Sequence, residues 1–316
     1  MQALGGGHME RQLGCRAGCA RPALIGAFVA LSLTGTASGQ PSGQPFDLSI
    51  GLIHATVQLE QRQRNGVTTV GTGFLISDPT PDGRPRTVLV TANHVFEKMP
   101  GPVAVIGFRV EDGGGSWRYD PEPLQIRDGA KELWAHHPER DVAVIAVEPP
   151  AQVAKAALPE RWLATDDTFT RYAVRPGDEM LALGFPEGFS SNAAGFPILR
   201  SGRVASFPLA PSSAFPTFLL DLNVFPGNSG GPIYMSDLSR RRPGAEGGEG
   251  VQFIAGMLTQ EVEQDSRNLG IGVVTAAKFI REALGLLDHP EAPSSTSRFA
   301  RRELLPAGAE DADYGQ

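Results

Sequence analysis

One hydroxyl in this sequence stands where a nucleophile could be made: Ser229, in the segment Pro226-Gly227-Asn228-Ser229-Gly230-Gly231-Pro232. Glycine on both sides lets the backbone turn tightly and aim successive N–H groups at one point. A serine that attacks a carbonyl needs such donors, because the carbonyl oxygen becomes negative and preorganised amides stabilise it. Taken alone, the segment reads more readily as a Gly-rich hairpin turn. Two further segments accompany it. His94, in Thr91-Ala92-Asn93-His94-Val95, follows the apolar run 88–90 and so stands just past a strand end. Asp141 opens the run 142–147, which is too apolar for anything but a buried strand, so its carboxylate lies at the edge of a core.

The order His, Asp, Ser, with Thr91-Ala92-Asn93-His94-Val95, Asp141-Val142-Ala143-Val144-Ile145 and Gly227-Asn228-Ser229-Gly230-Gly231-Pro232 around them, resembles the chymotrypsin-fold, trypsin-like serine peptidases. The nearest branches are the bacterial HtrA/Deg-like and glutamyl-endopeptidase-like ones. The resemblance implies an all-β fold of two six-stranded antiparallel β-barrels with a C-terminal helix. It also implies roles: Ser229 as nucleophile, His94 as its general base, Asp141 as the group that orients the imidazole, and the amides of Gly227 and Ser229 as the oxyanion hole. Gly71-Thr72-Gly73-Phe74 is similar to the family strand that packs behind the histidine, and a strand glycine at a barrel corner accounts for it equally well. Asn223 stands where the family often places the floor of its primary specificity pocket. Without an aspartate there, a preference for Arg or Lys is not implied. Asp221 resembles an aspartate kept by HtrA-like proteins, with hydrogen bonding to loop amides as the plainer role. Gly256 and Gly272 match the pocket walls, which implies a small or medium apolar side chain. The PDZ domain of HtrA-like proteins is not expected here, so regulation through one does not carry over.

Strand-like runs recur at 50–59, 68–76, 86–91, 103–110, weakly near Leu124, and at 142–147. A second set follows at 179–185, 198–207, 218–224, 231–235, 251–261 and 269–275. The three candidate residues would meet where the two sets adjoin. Pro149, Pro150 and Pro159 limit any helix in the crossover between them. After Thr275 the period changes, with Ala277, Ile280, Leu284 and Leu287 on one helical face. The expected organisation is a signal peptide at 1–39, a linker at 40–45, a first barrel at 46–150, a second barrel with the helix at 151–287, and a disordered tail at 288–316.

Arg11, Arg16 and Arg21 precede the apolar run Ala23 to Leu33, and Ala37-Ser38-Gly39 offers small residues to a signal peptidase. Export to the periplasm or beyond the cell follows, with no stable membrane span once the segment is removed. Both cysteines, Cys15 and Cys19, lie inside that segment, so the mature chain has no thiol for disulfides, nucleophiles or thiolate metal sites. The 38 Gly and 26 Pro suit many short strands and turns. A net charge of −7 without a basic run gives nucleic acid no footing. No cofactor or metal is implied; His136-His137 lacks a third ligand at regular spacing and is expected at the surface. The partners expected are protein or peptide substrates, and the oligomeric state is left open. The rival to a peptidase is a catalytically silent barrel of the same fold, used for binding or as a scaffold. An esterase acting through the same site is the third alternative.

Overall fold

In the computed structural model, residues 46–240, 250–264 and 267–288 are described. The expected signal peptide, linker and nearly all of the expected tail lie outside them. The first element corrects the sequence reading. The segment from Ile50 was expected to be a strand, but Leu48–Ala55 is a helix, α1. Asp47 caps it, its carboxylate accepting from the amides of Ser49 at 2.8 Å and Ile50 at 3.3 Å. Leu48, Leu52 and Ala55 are buried together on one face. Arg109 closes the other end, donating to the carbonyl of His54 at 2.7 Å. Burial pulls the pKa of this guanidinium down to about 10.

The first sheet uses β1 (Thr56–Arg62), β2 (Thr68–Ser77), β3 (Thr87–Thr91), β4 (Val103–Gly113), β5 (Ser116–Gln125) and β6 (Ala143–Val147). They are ordered β5-β4-β1-β2-β3-β6, and the short bridge Ala135–His136 extends the β6 side. The ladder does not run on from that bridge to β5. Between them the chain forms a separate two-stranded hairpin, Arg127–Asp128 with Lys131–Glu132, followed by a backbone bond from Leu133 N–H to the Ile126 carbonyl. Pro121 and Pro123 fall within β5, where the missing N–H groups suit an edge strand.

Leu158–Pro159 crosses from the first sheet to the second set, pairing in parallel with Ile76–Ser77 of β2. The second set closes fully. It comprises β7 (Glu179–Gly184), β8 (Ile198–Val204), β9 (Thr217–Asp221), β10 (Pro232–Asp237), β11 (Val251–Gln264) and β12 (Arg267–Ala276). Around the barrel the order is β7-β8-β9-β12-β11-β10, with β10 paired back to β7. Closure removes exposed strand edges. The fold class is therefore all-β with a C-terminal helix, as the resemblance implied, and one of its two large sheets forms a continuous six-stranded barrel.

Two short helices, α3 (Ala151–Ala154) and α4 (Asp166–Arg171), lie in the crossover, and the C-terminal helix, α5 (Ala277–Leu286), buries Ala277, Phe279, Ile280, Ala283 and Leu284. It returns to the first sheet. His137, expected at the surface, is only 6% exposed. Its Nδ1 accepts from the Glu139 amide at 3.1 Å, and its Nε2 meets the Glu282 carboxylate of α5 at 2.9 Å. The Arg140 guanidinium lies 5.1 Å over the Phe279 ring. Asp288, just beyond α5, pairs with Arg86 at 2.7 Å.

Candidate active site

The helix α2 (Asn93–Glu97) begins two residues after β3 ends. Its first side chain is buried and doubly held: Asn93 Oδ1 accepts from Trp134 Nε1 at 2.9 Å, and its Nδ2 donates to Glu97 at 2.9 Å. His94 follows. In the antiparallel register of β3 with β6, Thr91 faces Ala143. Continuing that register past the strand ends brings Asp141 alongside the start of α2. The carboxylate of Asp141 grips the same residue twice, accepting from the His94 backbone amide at 2.9 Å and meeting its ring Nδ1 at 2.6 Å. Both side chains are largely shielded, at 23% and 14% exposure. A carboxylate facing Nδ1 favours the tautomer that carries its proton there, which leaves the Nε2 lone pair to accept one.

Ser229 is half-buried. Its backbone carbonyl accepts from the Thr72 amide of β2 at 2.9 Å, which ties the segment to the first sheet. The hydroxyl points at the Thr259 carbonyl of β11, 3.5 Å away, and makes no hydrogen bond to His94. The structure thus joins Asp141 to His94 directly, while Ser229 is fastened to the strand adjoining β3.

Around Ser229, most amides are used inside the fold. Asn228 donates to Phe225, Gly230 to Leu258 and Gly231 to Asn228. Among the described residues, the amides of Gly227 and Ser229 have no acceptor. Gly227 adopts φ 94°. A Cβ there would approach the Phe185 carbonyl more closely than the 3.0 Å that real Cβ atoms keep, so glycine is required twice over. The peptide preceding Gly227 is oriented by Glu187, whose amide donates to the Pro226 carbonyl at 2.6 Å. The carbonyl and N–H of one peptide point opposite ways. Anchoring Pro226 O therefore turns the Gly227 N–H away from Glu187. Glu187 itself holds φ 52°, uncommon for a residue with a side chain.

The expected pocket residues have different surroundings. Asn223 is exposed, and its carbonyl accepts from Arg200 of β8 at 2.6 Å. The Arg200 guanidinium also lies 5.1 Å over the Phe225 ring. Gly270, at φ 70°, leaves room for the Asn223 side chain, whose oxygen would be 2.9 Å from a Cβ. Gly272 faces Leu258 and Val224, and any Cβ would press on both, at 2.9 and 3.1 Å. Gly256 lies in the barrel ladder between Ile233 and Ala276, hemmed in by the Thr275 carbonyl. Glycine at Gly256 answers a strand approach, whereas Gly272 abuts an apolar surface. Glu187, Arg200 and Thr259 were not singled out from the sequence. Only Glu187 carried a cue, following Pro186 and preceding Gly188 in a turn. No three His, Cys, Asp or Glu side chains gather as a metal site among the described residues.

Two antiparallel β units, a His94–Asp141 pair on one of them, and a glycine-rich serine segment tied to the same sheet are the parts a serine-peptidase hydrolase is built from. A family model for the trypsin-like peptidase domain matches residues 71–238, more than half of the sequence, and the chain belongs to that family. Solved structures resembling it include an HtrA-type protease, AlgW with tripeptide, at 17% identity and TM-score 0.49. That match covers 76% of this chain and 62% of AlgW, so the chain spans under two thirds of that protein. Protease Anisep from Arthrobacter nicotinovorans matches at 16% identity and TM-score 0.45, covering 75% of this chain and 96% of its own. The thermostable serine protease AL20 from an extremophilic microorganism matches at 13% identity and TM-score 0.41, covering 76% and 99%. No curated protein sequence matches the chain.

Proposed function

We propose that this protein is an exported serine endopeptidase that cleaves peptide bonds through an acyl-enzyme. Ser229 attacks the carbonyl, His94 Nε2 takes its proton and passes it to the leaving amine, and Asp141 holds the imidazole in the required tautomer. The amides of Gly227 and Ser229 receive the oxyanion. The observation that carries this reading is the double grip of Asp141 on His94, through ring Nδ1 at 2.6 Å and backbone amide at 2.9 Å. A strand-end histidine has no need of a carboxylate that fixes both its position and its tautomer. The apolar surface at Gly272, Val224 and Leu258 favours a small or medium apolar side chain before the scissile bond. Export rests on the basic and apolar pattern of residues 11–39, and places the mature enzyme in the periplasm or outside the cell.

One observation favours the silent-barrel reading: the Ser229 hydroxyl faces Thr259 rather than the imidazole. Catalytic hydrogen bonds often tighten only in the substrate complex, and the peptidase reading requires the Ser229 hydroxyl to turn from Thr259 to His94 there. A fluorophosphonate probe decides. Stoichiometric labelling abolished by Ser229→Ala, together with peptide turnover, supports the enzyme. A folded wild type that refuses the probe supports the binding module, and turnover of esters without peptides supports the esterase.

A further inference from the structure

Thr72 lies in the middle of β2, in the Gly71-Thr72-Gly73-Phe74 segment, and is fully buried. Its hydroxyl donates to the Gly227 carbonyl at 2.6 Å and accepts from the Phe185 amide at 3.1 Å. Its own amide donates to the Ser229 carbonyl at 2.9 Å, and its carbonyl accepts the Thr91 hydroxyl at 2.7 Å. One residue of the first sheet therefore touches the nucleophile segment at two carbonyls, the turn behind it at Phe185, and the strand that leads into His94.

We propose that the Thr72 hydroxyl is a positioning group for the oxyanion hole. The inference rests on the peptidase reading above. Gly227 is bounded by two peptide units, and each has its carbonyl tethered: Pro226 by the Glu187 amide and Gly227 by Thr72. The first tether aims the Gly227 N–H. The second fixes the peptide that follows, on which the direction of the Ser229 N–H depends. A glycine at φ 94° has no side-chain sterics to hold these planes. Outside contacts must do so. Phe185 connects the two tethers, because its amide binds the Thr72 hydroxyl and its turn presents Glu187. A hydroxyl is the one small group that donates to a carbonyl and accepts from an amide at the same point.

The test compares Thr72→Val, which keeps the shape and removes the hydroxyl, with Thr72→Ser, which keeps the hydroxyl. Each is measured for kcat and KM on a cleavable peptide, for inhibition by a peptidyl boronate that fills the hole, and for Tm. Thr72→Val is expected to lower kcat about 10- to 100-fold, part of the loss seen when a hole donor is removed outright, with KM within about threefold. Boronate affinity falls by the same factor, and Thr72→Ser recovers most of both. A merely structural Thr72 would lower Tm while leaving kcat per fluorophosphonate-titrated site unchanged, and that result overturns the proposal. If Thr72→Val does not fold, Thr72→Ala carries the same comparison, since it removes the hydroxyl without adding bulk. A wild type that refuses the fluorophosphonate sinks the peptidase reading itself; a reactive wild type with an equally active hydroxyl-free variant sinks the Thr72 inference alone.

Discussion

Replacing Gly227 by alanine tests the oxyanion hole with the least change in composition. Two penalties arise. At φ 94° an L-residue pays about 1–2 kcal/mol relative to glycine. The new methyl also meets the Phe185 carbonyl inside the 3.0 Å limit, and neither backbone can give way cheaply, since Phe185 N–H is bound to Thr72. The available relief is rotation of the Pro226–Gly227 peptide. That rotation breaks the 2.6 Å bond from Glu187 to Pro226 and swings the Gly227 N–H out of the site. Loss of one hole donor raises the barrier by about 3–4 kcal/mol, so kcat should fall about 10²- to 10³-fold. KM should move little, because the ground-state carbonyl carries far less charge than the tetrahedral intermediate. The assay is steady-state cleavage of a peptide substrate, normalised by fluorophosphonate-titrated sites, with circular dichroism and Tm as controls. A folded Gly227→Ala enzyme retaining kcat within fivefold of wild type would refute the assignment of that amide.

Asp141→Asn should reduce kcat by about 10⁴-fold with the fold intact, because an amide in place of the carboxylate favours the imidazole tautomer that cannot accept the serine proton. Kinetics beside a crystal structure of the variant would check it, and a kcat within tenfold of wild type would count against the tautomer argument. A separate prediction concerns His54, which lies between Trp117 at 5.0 Å and Phe196 at 5.9 Å. Burial first, and then the Arg109 cation, hold its pKa below the ordinary 6.5, with Glu111 acting in the other direction. The folded state thus prefers the neutral ring, so its contribution is complete above pH 6.5 and drains away as pH falls from there toward the depressed native value. Scanning calorimetry should show Tm dropping between about pH 7 and about pH 5, and His54→Leu should flatten that slope. An unchanged slope would remove His54 as its source.

Much of the candidate site was legible because catalysis constrains residue types more tightly than folding does. His94, Asp141 and Ser229 announced themselves through strand ends and glycine context. The helix α5 was visible in its apolar spacing. The element at 48–55 was misread because Ile53, Ala55, Val57 and Leu59 alternate as a strand would; the Asp47 cap and the burial of Leu48 with Leu52 decide for helix. His137 looked solvated because its partner, Glu282, lies far along the chain. Glycine was the most ambiguous letter. Gly256 and Gly272 read alike, yet one accommodates a neighbouring carbonyl and the other abuts Leu258 and Val224. Thr72 and Glu187 were opaque for another reason, since their contributions depend on backbone bonds between segments that sequence patterns do not relate.

The return of α5 onto the loop that carries Asp141 has a consequence for biogenesis. His137 and Arg140 flank the route to that carboxylate, and their partners Glu282 and Phe279 are synthesised well over a hundred residues later. Domains usually mature from the N-terminus as the ribosome proceeds. Until the closing helix has emerged, His137 and Arg140 lack those partners, so a chain ending before residue 277 would leave the segment that carries Asp141 without this cover.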